Sequence, residues 1–302
     1  MNTKKKLDMM NQFPNNPDQQ VTLANWRTSP YNKWAFQHVR ELVPSANIQN
    51  NPSRAQNLPQ EKYDFSAVKV ELDNQSQLAY NEFLKTTDTD ALIILKDGII
   101  IEERYFHDMA RNTPHILMSV SKSILGLLIG ILIDQKIFKA ADKVCAILPE
   151  LNSTAYKEAT IRDLLDMRTG VTFVEDYLAT SGLMIDYRKA TNWNPLENNE
   201  APSDLRSFYR LLDKKSHPDG KQFNYVSPNS DLLGWIIERS TGERFSDILS
   251  DLFWKPLGAT MPSYITVDRL GAPRVAGGLC TTAIDLALVG QLFLDYGFTN
   301  GQ

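Results

Sequence analysis

Two isoleucine-rich runs flank Asp97-Gly98 in residues 91 to 106, ALIILKDGIIIEERYF. Apolar runs around Asp-Gly predict a hairpin, because a type I′ turn needs positive φ at both central residues. A lone hairpin is marginal in water, so further strands or a helix must cover it. AVKVEL, residues 67 to 72, also alternates like a strand. From about 119 to 135 the pattern becomes helical, and positions 124 to 133 carry only apolar residues and glycine. That run is too short to cross a bilayer and predicts a helix buried on all sides. Gly126 and Gly130 are expected to let another backbone approach it closely. Further on, TIRDLLDMRTG predicts a helix ending at Gly170, and SDLRSFYRLLD a helix capped by Ser203. Residues 229 to 258 read as two helices divided near Gly242, and a final helix opens at about Thr282 with a Thr-x-x-Asp box closed by Asp285. Residues 174 to 202 show no sustained period, yet carry Tyr177, Tyr187 and Trp193, as a loop covering a site would. Residues 1 to 60 are rich in Asn, Gln and Pro, with Trp26, Trp34 and Phe36 as anchors, and predict an extended arm lying over the body.

Composition removes several functional classes. A chain of 302 residues with 42% hydrophobic residues can bury a large core. Its net charge of -4, without a basic stripe interleaved with aromatics, leaves no footprint for nucleic acid. Cys145 and Cys280 stand far apart with no second Cys or His at ligand spacing, so no zinc site, disulfide framework, metal or cofactor is expected. The lysine cluster near the start is followed by no apolar stretch, so it is no secretory signal, and the cytoplasm is the default location with no membrane partner. A homodimer is compatible with the sequence, which does not specify an oligomeric state.

That leaves Ser119, Ser121 and Lys122 at the mouth of the apolar helix. Residues three apart share a helix face, so Ser119 neighbours Lys122, at the end where backbone N–H groups are unpaired. The helix dipole and burial both oppose an ammonium there and lower its pKa. A neutral amine can take the serine proton, and the free N–H groups can bind an oxyanion. The competing reading is a plain N-cap with Lys122 reaching solvent. Ser66 and Lys69 repeat the spacing, but on a strand, where residues three apart point to opposite faces. Helical context therefore singles out Ser119. Ahead of a later helix, Tyr225 and Ser227 lie two apart, on one side if the segment is extended. A phenol beside a cationic lysine can relay a proton, although a core aromatic and a cap would leave the same pattern.

Ser119-x-x-Lys122 followed by Tyr225-x-Ser227 resembles the serine β-lactamase and penicillin-recognising superfamily, in its esterase and 6-aminohexanoate-dimer hydrolase branch. WAFQHVRELVP, LLDMRTGV, FVEDY and RVAGGLCTTAIDLALVGQLFLDYG extend the similarity over nearly the whole chain. The resemblance implies an α/β (α+β) fold, an antiparallel sheet flanked by helices, with a mainly helical subdomain inserted. It divides the chain into an arm at 1–60, an α/β part at 61–118 and 276–302, and a helical part at 119–275. It further implies Ser119 as acylated nucleophile, Lys122 as its base, Tyr225 as proton relay, Ser227 as a supporting hydrogen bonder and Tyr177 as partner of the substrate amide. The superfamily's third motif, a Lys/His-x-Gly strand, should follow the last helix. None follows, so the C-terminal strands are expected to be missing. RTG at 168–170 precedes Tyr225 and is no substitute, and Gly277-Gly278 reads as a tight turn into the last helix.

The expected activity is hydrolysis of a small linear amide or carboxylic ester, with Tyr187 and Trp193 shaping the pocket and Asp186 receiving a substrate ammonium. A β-lactamase or D-peptide-processing enzyme is the second reading, and an inactive, truncated fold that only binds is the third. A Ser-His-Asp hydrolase is disfavoured, since no G-x-S-x-G elbow is present and His115, four residues before Ser119, reads as structural.

Overall fold

The computed structural model describes residues 9–73 and 75–299, so the lysine cluster near the start lies outside the described residues. Eight strands form three antiparallel sheets among them. Strand β1 (Ser45–Ile48) comes from the N-terminal segment, and β2 (Lys69–Glu71) and β3 (Gln77–Ala79) form a short hairpin. Strands β4 (Ala91–Lys96) and β5 (Ile99–Tyr105) form the expected longer hairpin, whose turn residues Asp97 and Gly98 have φ of 51° and 76°. Strands β6 (His115–Ile116), β7 (Ser263–Thr266) and β8 (Leu279–Thr281) join β1 in a four-stranded sheet of order β1-β7-β8-β6.

That sheet crosses the boundaries drawn from the sequence. Strand β7 lies within the stretch assigned to the helical part, and β1 pairs with β7 along the edge. The N-terminal segment is accordingly built into the fold: Trp26 is fully buried, and Ile116 N–H donates to Phe36 O at 3.0 Å. Trp26, Val39, Ile116, Trp193, Tyr264 and Cys280 make a satellite core beneath it. The main core gathers around the Ser121–Asp134 helix, where Ile124, Leu125, Leu128, Ile129 and Leu132 pack with residues such as Tyr156 and Trp254. Each such side chain, fully buried, contributes about 1.5–3 kcal/mol.

Four local expectations are corrected. The apolar helix is not buried on all sides: Ser123, Gly126 and Gly130 form an exposed stripe, and a Cβ at either glycine would meet nothing within 4 Å. Gly170 is no helix cap, because that helix runs Ile161–Leu165; a Cβ there would lie 1.7 Å from His217 O, so close backbone approach excludes a side chain. The Leu205–Phe208 helix is capped by Asp204 in a box with Ser207, since the side chain of Ser203 is one residue too early. Gly277 and Gly278 turn into β8 and not directly into the last helix; a Cβ at Gly278 would lie 2.2 Å from Thr266 Oγ1. Elsewhere the chain follows its local signals. Thr160 and Asp163 form a capping box, Gly242 ends the Ser227–Thr241 helix at φ 75°, and Thr282 accepts from Asp285 N–H.

Candidate active site

Ser119 reaches the surface because β6 ends against β8. Leu117 N–H donates to Leu279 O at 2.8 Å, Met118 turns through φ 47°, and Met118–Val120 form one 3₁₀ turn before the Ser121–Asp134 helix. A positive φ at a non-glycine residue is strained and persists where the surroundings hold it. Here the hold comes from Ser121, whose buried Oγ accepts from Leu279 N–H at 3.3 Å. Ser121 is therefore structural, and Ser119 is left exposed at the head of the helix. Among the described residues Ser119 N–H finds no acceptor in the chain.

Lys122 and Tyr225 converge on the Ser119 oxygen. Lys122 Nζ lies 3.1 Å from Ser119 Oγ and donates to Ala276 O at 2.6 Å. Tyr225 OH donates to Ser119 Oγ at 2.8 Å, and Lys122 Nζ sits 5.0 Å from the centre of its ring. Burial lowers the Lys122 pKa below its ordinary 10.5; the hydrogen bond with Tyr225 opposes that shift and the charge of Arg274 adds to it. A lysine so placed is poised to act as a base.

Ser227 does not join this cluster. As the first residue of the Ser227–Thr241 helix it gives its N–H to Glu175 Oε2 and its hydroxyl to Glu175 Oε1, both at 2.6 Å. Tyr177 OH also donates to Glu175 Oε1, at 2.9 Å. Burial and then the Glu175 charge raise the Tyr177 pKa, keeping the phenol protonated. Ser119, Glu175, Tyr177, Ser227 and Trp193 all line one cavity of about 330 Å³. Trp193 is fixed in its wall by Nε1–H donating to Thr266 Oγ1 at 3.2 Å and by an edge contact with Trp26 at 5.2 Å.

Two predicted pocket residues are elsewhere. The aperiodic stretch contains a helix, Leu183–Ala190, and Met184 and Arg188, four apart on one face, reach the cavity. Asp186 falls between them on another face and does not line it. Tyr187 is fully buried behind the wall, where its hydroxyl contacts Asp231 and Arg274. Sequence reasoning missed Arg27, Arg188, Arg274 and Glu175 in the lining. Glu175 stands inside FVEDY and Arg274 opens RVAGGLCTT, though neither was assigned to the pocket, whereas nothing local marks Arg27 or Arg188. A second cavity, of about 360 Å³ beside Asn81, Lys85 and Arg104, is distinct from the one that Ser119 lines. No three His, Cys, Asp or Glu side chains among the described residues are grouped to hold a metal, and no helix among them is long and apolar enough to cross a membrane.

An amine whose pKa is lowered by burial and a phenol thus meet on one serine oxygen. The family model described as Beta-lactamase matches residues 82–297. The 6-aminohexanoate-dimer hydrolase of Paenarthrobacter ureafaciens is 32% identical over 290 residues, 96% of this chain and 71% of that protein. A solved structure described as a 6-aminohexanoate-dimer hydrolase from Bacillus anthracis superposes with a TM-score of 0.87 at 26% identity, covering 93% of this chain and 74% of that one. The octameric penicillin-binding protein homologue from Pyrococcus abyssi shares the fold, with a TM-score of 0.57 at 17% identity over 72% of this chain and 55% of that one. The chain belongs to the β-lactamase family and is a serine hydrolase.

Proposed function

We propose that the chain hydrolyses a small linear amide or carboxylic ester through an acyl-enzyme on Ser119, as a 6-aminohexanoate-dimer hydrolase-like enzyme. The observation that carries this reading is the shared contact of Lys122 Nζ and Tyr225 OH with Ser119 Oγ, at 3.1 and 2.8 Å. Neutral Lys122 takes the hydroxyl proton as Oγ bonds to the substrate carbonyl carbon, and the carbonyl electron pair moves onto oxygen. The free N–H of Ser119 stabilises that oxyanion. Tyr225 then gives its proton to the departing amine or alkoxide and takes the one held by Lys122, which restores both groups, and water releases the acyl group by the reverse sequence. Tyr177 bonds the substrate amide from the rim, while Ser227 positions Glu175 beside it.

Incubation with a fluorophosphonate followed by mass spectrometry tests the reading. The expected adduct is on Ser119, and Ser119→Ala is expected to lower turnover of p-nitrophenyl esters by about 10³-fold or more. Undiminished turnover in Ser119→Ala, with labelling elsewhere, overturns it.

A further inference from the structure

Three arginines from separate parts of the chain line the Ser119 cavity. Arg27 comes from the N-terminal segment, Arg188 from the Leu183–Ala190 helix and Arg274 from the turn before β8. Arg188 and Arg274 are each only 6% exposed, and Nε of all three is buried without a hydrogen-bond partner. Arg274 has a counter-ion, Asp231, behind the wall. The other two form no ion pair among the described residues. Arg188 spends one of its five donors on Tyr177 O at 2.9 Å, and Arg27 gives one to Asn194 Oδ1. Burial, then the charges of Arg188 and Arg274, bring the Arg27 pKa down to about 10, which marks how closely the three approach.

Two carboxylates act on Arg188 from nearby without an ion pair: Glu175 spends its acceptors on Ser227 N–H, the Ser227 hydroxyl and Tyr177 OH, and Asp176 is exposed, so water and salt screen it. A buried guanidinium without an ion pair, as at Arg188, is costly, and the planar forks of all three arginines match a carboxylate. Around them the wall is apolar, with Phe36, Met118, Met184 and Trp193.

We propose that this side of the cavity is a carboxylate subsite, in which Arg27, Arg188 and Arg274 hold the free carboxylate at the end of a linear substrate. The methylene chain lies along Phe36, Met118, Met184 and Trp193, and the scissile carbonyl reaches Ser119. Its catalytic meaning rests on the hydrolase reading above; its binding does not. The substrate class is an amide or ester with an anionic end, such as an N-acyl amino acid or the monoester of a dicarboxylic acid. A substrate end carrying an ammonium is repelled, which reverses the role expected for Asp186.

Titration calorimetry of the full chain with hexanoate, hexanol and hexylammonium tests this. Hexanoate is expected to bind about tenfold or more tighter than either analogue, and Arg27→Gln and Arg188→Gln each to weaken it by about tenfold or more. Equal binding of the three ligands, no binding of hexanoate, or unchanged hexanoate affinity in both variants overturns the subsite. Thermal unfolding verifies the variants; if Arg188→Gln does not fold, Arg27→Gln and the ligand series on the unaltered chain decide. Hexanoate binding retained by a protein whose Ser119 is never labelled strikes the hydrolase reading and leaves the subsite standing. Labelling and turnover with charge-blind binding strike the subsite alone.

Discussion

Lys122 sits where an ammonium is disfavoured, first by burial and further by the charge of Arg274, with the Tyr225 hydrogen bond pulling the other way. Only the neutral amine has a lone pair for the Ser119 proton. The rate constant kcat/KM is therefore expected to rise with pH through the depressed Lys122 pKa and to level off below 10.5. A pH–rate profile on a p-nitrophenyl ester measures this, and a profile flat across neutral and alkaline pH contradicts the assignment. Lys122→Arg keeps a permanent charge and is expected to lose about 10³-fold or more in kcat at every pH. Stability has the same sign. Between the lowered folded value and 10.5 the unfolded chain binds more protons than the folded one, so the Lys122 contribution to stability rises with pH across that window.

At the scale of the element, signals carried by a residue's own chemistry were legible, and signals that depend on a distant neighbour were not. Asp97-Gly98 and the Thr282–Asp285 cap act within four residues, and both are present, Thr282 Oγ1 accepting from Asp285 N–H. Gly126, Gly130 and Gly170 look alike in sequence but differ in what faces them. Open space beside Gly126 and Gly130 means that Ala at either costs nothing in packing and removes unfolded-state entropy. Each substitution is expected to raise stability by roughly 0.5–1 kcal/mol in urea unfolding. Gly170→Ala must displace the backbone at His217 and is expected to lower stability by at least about 2 kcal/mol. A loss at Gly126 or Gly130 comparable to that at Gly170 would mean that a further surface packs on the exposed stripe.

Across the whole molecule, Ser119, Lys122 and Tyr225 were readable because two lie within one helical turn and the third opens the next motif. The arginine wall was not, because Arg27, Arg188 and Arg274 meet only once the N-terminal segment and the helical part close on the sheet. Asp231 ties that closure together. From the Ser227–Thr241 helix its carboxylate pairs with Arg274, accepts from Tyr187 OH, and accepts from Ala276 N–H at 2.8 Å, and Ala276 O in turn holds Lys122. Removing one partner of a buried pair leaves the other charge stranded, whereas replacing both with apolar groups does not. Asp231→Ala is expected to cost about 3–5 kcal/mol in urea unfolding, and Asp231→Leu combined with Arg274→Met to recover much of that loss. The recovered double variant is nonetheless expected to be slow, because Ala276 no longer has a fixed acceptor for its N–H and its grip on Lys122 loosens. A double variant that is stable and fully active on an uncharged p-nitrophenyl ester, which does not call on the carboxylate subsite, would show that Lys122 is placed without the Asp231–Arg274 pair.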